Sequence, residues 1–463
     1  TATASKRYTR THYDSGHHAP QSVLLVGDED YLPCWSGSYS SGAPTDLNYA
    51  KLDGTDIYPD VFIGRWSITS LAETEYLMDK CISYERWELG GGTDWTEGVC
   101  LPSTNDPTYH GLAEATQAYV SSTWFDPLGY TDIDLIQAYY GGTGSQVIAA
   151  INDGRMIVNY TGHGNTTYWD APNVTQANVR NLTNANEYPF VISNACLTGK
   201  FDVTECFAET WIRQQDKGAI AFMGASNNTM WDEDDAFERR MYDSTFTSDY
   251  YFIGGMHHKG LWAVSASYPA RRNYYVEIYH VFGDPSIALW FTPPEGMTVT
   301  HNATTPPGGG SFVVNVSDGS YLQDALVCIT NDDDIHEAAY TNSSGNVTLT
   351  LPSASPGDTL WVTVTAYNHI PYFGYIVVNG NGPLLAYNSH TVDDPAGDGD
   401  DVPDCGERIA LYINIANNGS EAAYTVVGNL STTDPRATVA SATASYGNIA
   451  SGTNRTNSTP YQV

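Results

Sequence analysis

Two stretches decide how this chain is read: RMIVNYTGHGN at residues 155–165 and FVISNACLTG at residues 190–199. Each opens on a short apolar or β-branched run and passes directly into Gly, Asn or Thr. That is the pattern of a parallel strand covered on both faces and ending in a loop. The same texture recurs in SVLLVGD (22–28), DVFIGR (60–65) and AIAFMGAS (219–226). Helical patterns lie between these runs. Residues 70–87 carry Leu71, Tyr76, Met78, Cys81 and Tyr84 at helical spacing, and residues 204–215, TECFAETWIRQQ, begin on Thr with an early Glu. Alternating strands and helices predict a doubly wound α/β sheet within residues 1–292.

After Phe291-Thr292-Pro293-Pro294 the texture changes. Residues 297–380 hold alternating runs such as SFVVNVSD, NVTLTLP and TLWVTVTAYN, broken by Gly, Pro and Asn, and predict a small antiparallel β-sandwich. Residues 384–463, with ERIALYINIANNG and AYTVVGNLS, predict a further β-domain without an obvious final strand. Three domains suit 463 residues at ~150 residues each. The chain carries 20 Lys plus Arg against 53 Asp plus Glu, a formal net charge of −33. That excludes nucleic-acid binding and adhesion to an anionic membrane surface, both of which need cations. No apolar run approaches the ~18 residues of a membrane-spanning helix. Abundant Tyr, Thr, Ser, Asn and Gly, with Asn-x-Ser/Thr sequons recurring from Asn173 to Asn454, point to an exported protein. The seven cysteines show no CxxC pair, so neither a zinc ribbon nor a disulfide scaffold is indicated.

Reactive groups of open α/β sheets collect in loops beyond the carboxyl ends of strands. Here one such loop delivers His163 and another Cys196. If their strands are neighbours, the thiol can act as nucleophile and the imidazole can activate it or protonate a leaving amine. Glycines on both sides of His163 let a substrate backbone approach, and the amides of Gly164 and Cys196 are candidate oxyanion donors. Spacing alone equally allows a buried cysteine that only packs and a turn histidine.

NYTGHGN, followed 33 residues after His163 by the Cys of NACLTG, resembles the His and Cys motifs of the gingipain-type cysteine peptidases, family C25, of the caspase-like clan. VLLVGDEDYLP, YPDVFIGRWS, NLTNANEYPFVI, ECFAETWIRQQDKGAIAFMGAS and YHVFGDPSIALW resemble the same family in the same order, over about residues 22–292. The resemblance implies a caspase-like fold followed by an immunoglobulin-like sandwich. It implies Cys196 as nucleophile, His163 as general acid/base, and Gly164 and Cys196 as the oxyanion hole. It also implies a carboxylate that orients the histidine, for which Asp106 in STNDPTY is the best match; an Asx turn before Pro107 is the other reading of that residue. It further implies a basic residue in the S1 pocket over an acidic floor. Asp234 is the first candidate, with Asp232 and Asp235 behind it and Trp231 and Trp169 as walls, although such an acidic run also suits a solvated loop.

Catalysis of this kind needs no cofactor. The run containing Asp394, Asp398, Asp400, Asp404 and Glu407 resembles oxygen-rich calcium loops, so a structural Ca²⁺ is expected there. Residues 1–20 hold Lys6, Arg7 and Arg10 and are expected to form an exposed loop left by processing, with the missing N-terminal part kept as a separate chain. The expected function is a secreted cysteine endopeptidase cleaving after Lys or Arg, whose partners are basic polypeptides and its own processed fragment. The rivals are a non-catalytic surface or adhesion protein with a relic peptidase domain, and a calcium-dependent hydrolase of other chemistry.

Overall fold

The structure is a computed structural model that describes residues 2–14, 19–90, 92–248, 251–331, 335–379, 383–394, 402–403, 406–419 and 421–463. The chain divides into two compact units, Thr1–Pro294 and Glu295–Val463.

The first unit is built on one eight-stranded sheet. Its strands are β1 (Ser22–Val26), β2 (Phe62–Trp66), β3 (Gly98–Ser103), β4 (Asp132–Gln137), β5 (Ile157–Thr161), β6 (Phe190–Asn194), β7 (Ala221–Ala225) and β8 (Tyr279–Phe282). They lie in the order β1-β2-β8-β7-β6-β5-β3-β4. Burial follows position: β3, β5, β6, β7 and β8 are buried throughout, while the edge strands β1 and β4 are partly exposed. Continuous apolar runs sit where helices cover both faces, and mixed runs sit at the edges.

The sheet is mixed rather than wholly parallel. β7 and β8 pair antiparallel, whereas β4, β3, β5, β6 and β7 run parallel to one another. Residues 279–282 reach the middle of the sheet from the far end of the unit, a placement that no local pattern encodes.

The helices named below are α1 (Ala2–Asp14), α2 (Leu71–Arg86), α3 (His110–Val120), α4 (Gly144–Asn152), α5 (Phe207–Ile212), α6 (Trp231–Ser248), α7 (Ile253–Ser267) and α8 (Arg272–Ile278). α2 starts at Ser70, whose hydroxyl accepts from the Glu73 amide. Its buried face is Leu77, Lys80, Cys81 and Tyr84, whereas Leu71 and Met78 are exposed. α5 is shorter than the 204–215 expected: it begins after Cys206, whose amide donates to the Glu209 carboxylate at 2.6 Å. The expectation of an exposed loop over residues 1–20 is also corrected, since Ala2–Asp14 is helical and Tyr13 packs on Ala50, Leu52 and Val61.

Both expected β-segments fall within the second unit. A three-stranded sheet (Thr298–His301, Gly310–Ser317, Asn346–Leu351) and a five-stranded sheet, which includes Leu326–Thr330 and Thr359–Thr365, enclose one apolar core. Burial alternates residue by residue along Asn346–Leu351 and Thr359–Thr365, as a sheet with one face on the core requires. A second sheet group pairs Leu385–Asp393, Ala410–Asn417 and Thr453–Thr456. It also takes in a short final strand, Tyr461–Gln462, which pairs with Ala410 and Leu411.

Candidate active site

β5 and β6 are parallel neighbours, with Thr161 opposite Asn194. Two residues beyond each strand end stand His163 and Cys196, so the sheet itself sets the two loop tips side by side. The loops pack closely. A Cβ on Gly164 would lie 2.9 Å from the Ala195 Cβ, 2.9 Å from the Thr198 Cγ2 and 3.0 Å from the Cys196 carbonyl oxygen. Only glycine permits that approach.

The His163 loop is pinned through its carbonyl, which accepts from the Tyr160 hydroxyl at 2.8 Å and the Asp170 amide at 3.0 Å. The ring remains about half exposed. Its Nε2 lies 2.9 Å from Asp106 Oδ2. The other carboxylate oxygen, Oδ1, accepts from the amides of Thr108 and Tyr109 at 2.8 Å each, immediately before α3. One oxygen of Asp106 thus closes the turn while the other meets the imidazole. The hydrogen bond from His163 is the main reason its carboxyl sits below the usual range.

Cys196 lies in a sharp turn after β6. Leu197 adopts φ +64°, a left-handed conformation unfavourable to a side-chain-bearing residue, and its amide donates to Asn227 O at 3.1 Å. The sulfur is half buried and accepts from the Thr229 amide at 3.3 Å. Burial raises the thiol's pKa, the Thr229 amide opposes that, and the nearby Asp234 carboxyl reinforces it.

The acidic run 232–235 is not a loop but the first turn of α6. Its members therefore point in different directions. Asp232 is exposed. Asp235 faces α3 and α6 itself, bonding Thr116 Oγ1 and Arg239, so it does not line a pocket floor with Asp234. Asp234 is buried, and its Oδ1 accepts from the hydroxyls of Tyr275 (3.0 Å) and Tyr279 (2.7 Å). Desolvation pushes its carboxyl up to about 7 against those bonds. Trp231 touches the His163 ring edge-on at 5.2 Å and stacks with Tyr109 at 5.0 Å. Trp169 is corrected from pocket wall to core: it is fully buried, donates to Ser193 Oγ at 2.9 Å and stacks on Tyr160.

Three participants lay outside the sequence reading: Tyr109, the Tyr275–Tyr279 pair and Glu238. The i, i+4 spacing of Asp234 with Glu238 was a usable signal, since that pair shares one helical face, whereas Tyr275 lies on α8 and Tyr279 opens β8. Glu238 is completely buried one turn beyond Asp234, and desolvation pushes it up to about 8.

Of the expected calcium ligands, Asp398, Asp400 and Asp404 lie outside the described residues, while Asp394 is buried and Glu407 half buried. Elsewhere in the second unit, Glu295, Asp318 and His369 bring potential ligand atoms within 4.8 Å of one another. All six described cysteines are free thiols.

The sequence model of peptidase family C25 matches residues 1–290. Lys-gingipain HG66 of Porphyromonas gingivalis is 28% identical over 404 residues, which cover 81% of this chain and 23% of that protein. Gingipain R2 of the same species is 27% identical over 393 residues, covering 82% of this chain and 52% of the relative. The chain thus spans about a quarter to a half of the length of these relatives. The crystal structure of the Arg-specific cysteine proteinase gingipain R superposes with a TM-score of 0.72 at 26% identity, over 82% of this chain and 88% of that one. The complex of the pro- and mature domains of RgpB from P. gingivalis gives 0.73, also at 26% identity, over 82% and 90%. With the family's sequence model spanning residues 1–290 and the superposition reaching beyond it, this chain belongs to peptidase family C25.

Proposed function

We propose that the chain is a cysteine endopeptidase that cleaves polypeptides after basic residues, and that it acts outside the cell. The observation that carries this reading is the Asp106–His163 hydrogen bond, made in the loop whose glycine packs against the backbone of Cys196.

Cys196 Sγ attacks the scissile carbonyl as its proton passes to His163, and the oxyanion is taken by the amides of Gly164 and Cys196. Because Asp106 holds His163 Nε2, the Nδ1 side of the ring is left to exchange protons with substrate. The imidazole delivers a proton to the leaving amine as the C–N bond breaks. A water molecule then hydrolyses the acyl-thioester and returns the thiol. Trp231 and Tyr109 offer flat apolar faces to an aliphatic stem, and Asp234 behind them supplies the acidic floor. A lysine ammonium arriving beside that buried carboxyl favours its ionised form, so charge appears where it is paired. Lys-gingipain and the Arg-specific gingipain R carry basic specificity in their names, and its transfer to this chain rests on Asp234.

The same proposal extends to the second unit, with the paired sheets over residues 297–380 as an immunoglobulin-like sandwich and the acidic sequence run from Asp394 to Glu407 as a structural Ca²⁺ site. The −33 charge adds a long-range attraction for cationic peptides.

The test compares wild type with Cys196→Ala on fluorogenic peptides ending in Lys, Arg or Ala before the reporter. Cleavage of basic peptides is expected to vanish in the variant while circular dichroism and Tm stay unchanged. Equal turnover in wild type and variant overturns the proposal, and preference for the Ala peptide overturns the basic specificity.

A further inference from the structure

We propose that Glu238 is a positioning residue that sets the placement of His163 relative to Cys196, acting through Thr161 and Asn194; this rests on the cysteine-peptidase reading above.

The geometry is that of one carboxylate holding two strand ends. Glu238 Oε2 accepts from Thr161 Oγ1 at 2.8 Å and from Asn194 Nδ2 at 2.6 Å. Its Oε1 accepts from Asn159 Nδ2 at 2.5 Å. Thr161 ends the strand that delivers His163, and Asn194 ends the strand that delivers Cys196. Each lies two residues before the side chain whose position it governs.

Further bonds stiffen the cluster. Gln117 on α3 donates from Nε2 to Asn159 O and to Thr161 Oγ1, both at 2.9 Å, and accepts from Asn159 Nδ2 at 3.3 Å. Tyr279 donates to Asn194 Oδ1 at 3.3 Å, and the Gly162 amide donates to Asn194 O at 3.1 Å. Every member of the cluster is buried. Because the cluster is buried, a lost partner leaves a polar group unsatisfied, and a change at Glu238 is relayed to both strand ends.

The same helix reaches the site on three successive turns: Trp231 meets the His163 ring, Asp234 is near enough to raise the pKa of the Cys196 thiol, and Glu238 bridges the two strands. A helix is stiff along its axis, so α6 acts as a ruler whose last mark is Glu238.

The test uses Glu238→Gln, which keeps volume but replaces one of the two accepting oxygens with an amide group that only donates. Turnover of a lysyl fluorogenic peptide is normalised to active sites titrated with a lysyl chloromethyl ketone. A misplacement on the order of 1 Å costs about 100-fold, so kcat per titrated site is expected to fall about 10- to 100-fold with KM within about threefold. Thr161→Val, which removes the bond to Glu238 and the one from Gln117 with little change in volume, is expected to cost about 3- to 10-fold. The double variant should lose less than the product of the two, because both act through one network. If Glu238→Gln does not fold, Thr161→Val alone decides. A kcat per titrated site within twofold of wild type in the folded variants overturns the inference, as does a fall in titratable sites with normal turnover in those remaining. A wild-type chain whose turnover does not depend on Cys196 overturns the functional reading and this inference together.

Discussion

The Cys196 sulfur meets an amide, a half-buried surface and the nearby Asp234 carboxyl. Nothing there stabilises a resting thiolate enough to offset burial, so the thiol is the ground state at neutral pH. In the proposed mechanism the nucleophile is deprotonated as it attacks, so His163 takes the thiol proton as base and then delivers it as acid to the leaving amine. The expected signature is an iodoacetamide inactivation rate at Cys196 that climbs steadily from pH 6 to pH 9. A rate already at its plateau by pH 6 would indicate a preformed thiolate and overturn this assignment. Cys196 and His163 were legible in the sequence because each follows a strand run directly. The double use of Asp106 was only half legible, since an Asx turn is a local pattern whereas its partner lies 57 residues away.

At the level of elements, β2 carries the buried cation that ties the loops around the far half of the sheet. Arg65 is almost fully buried; its Nε and Nη2 donate to Asp46 at 2.7 and 2.6 Å, and its Nη1 donates to Gly27 O and Leu32 O at 2.6 and 3.0 Å. Arg65→Met leaves Asp46 and two carbonyls without their partner and is expected to destabilise the fold by about 3–5 kcal/mol, read as a shift in urea midpoint. A midpoint shift corresponding to less than about 1 kcal/mol would show that the pair is dispensable, the level typical of exposed ion pairs. The strand run DVFIGR announced β2, but nothing in it announced that its arginine points inward. Likewise the four acids at 232–235 read as a solvated run, because a charge count ignores direction. On α6 the helical period sends Asp234 and Glu238 inward, with Phe237 and Met241, while Asp232 stays in solvent.

For the whole molecule, these buried groups set how stability depends on pH. Asp234 and Glu238 have folded-state values of about 7 and about 8, above their ordinary ones. The native state therefore holds protons that the unfolded chain has already released, and their contribution is lost as pH rises through 7 and 8. The buried His258 and His280 are pushed down to about 4, so their effect has the opposite sign and is complete by the ordinary histidine value of 6.5. Above pH 6.5 only the carboxyl groups of this set still change, so Tm is expected to fall between pH 6.5 and pH 8. Glu238→Gln should make that fall shallower. A Tm that rises across the same window, measured by calorimetry, contradicts the assignment.

What the sequence by itself determined were the features written in local periods. These are the buried strand runs, the start of α2 at Ser70, the change of texture after Pro294, and the two loops that carry His163 and Cys196. Tertiary structure alone decided which strands became neighbours, that Tyr279–Phe282 paired antiparallel with β7 but parallel with β2, and that Trp169 became core. It alone also decided that one carboxylate on α6 would meet the ends of β5 and β6. The reason is physical: periodicity reports which face of an element avoids water. The partner found on that face is set by packing between segments far apart in the chain.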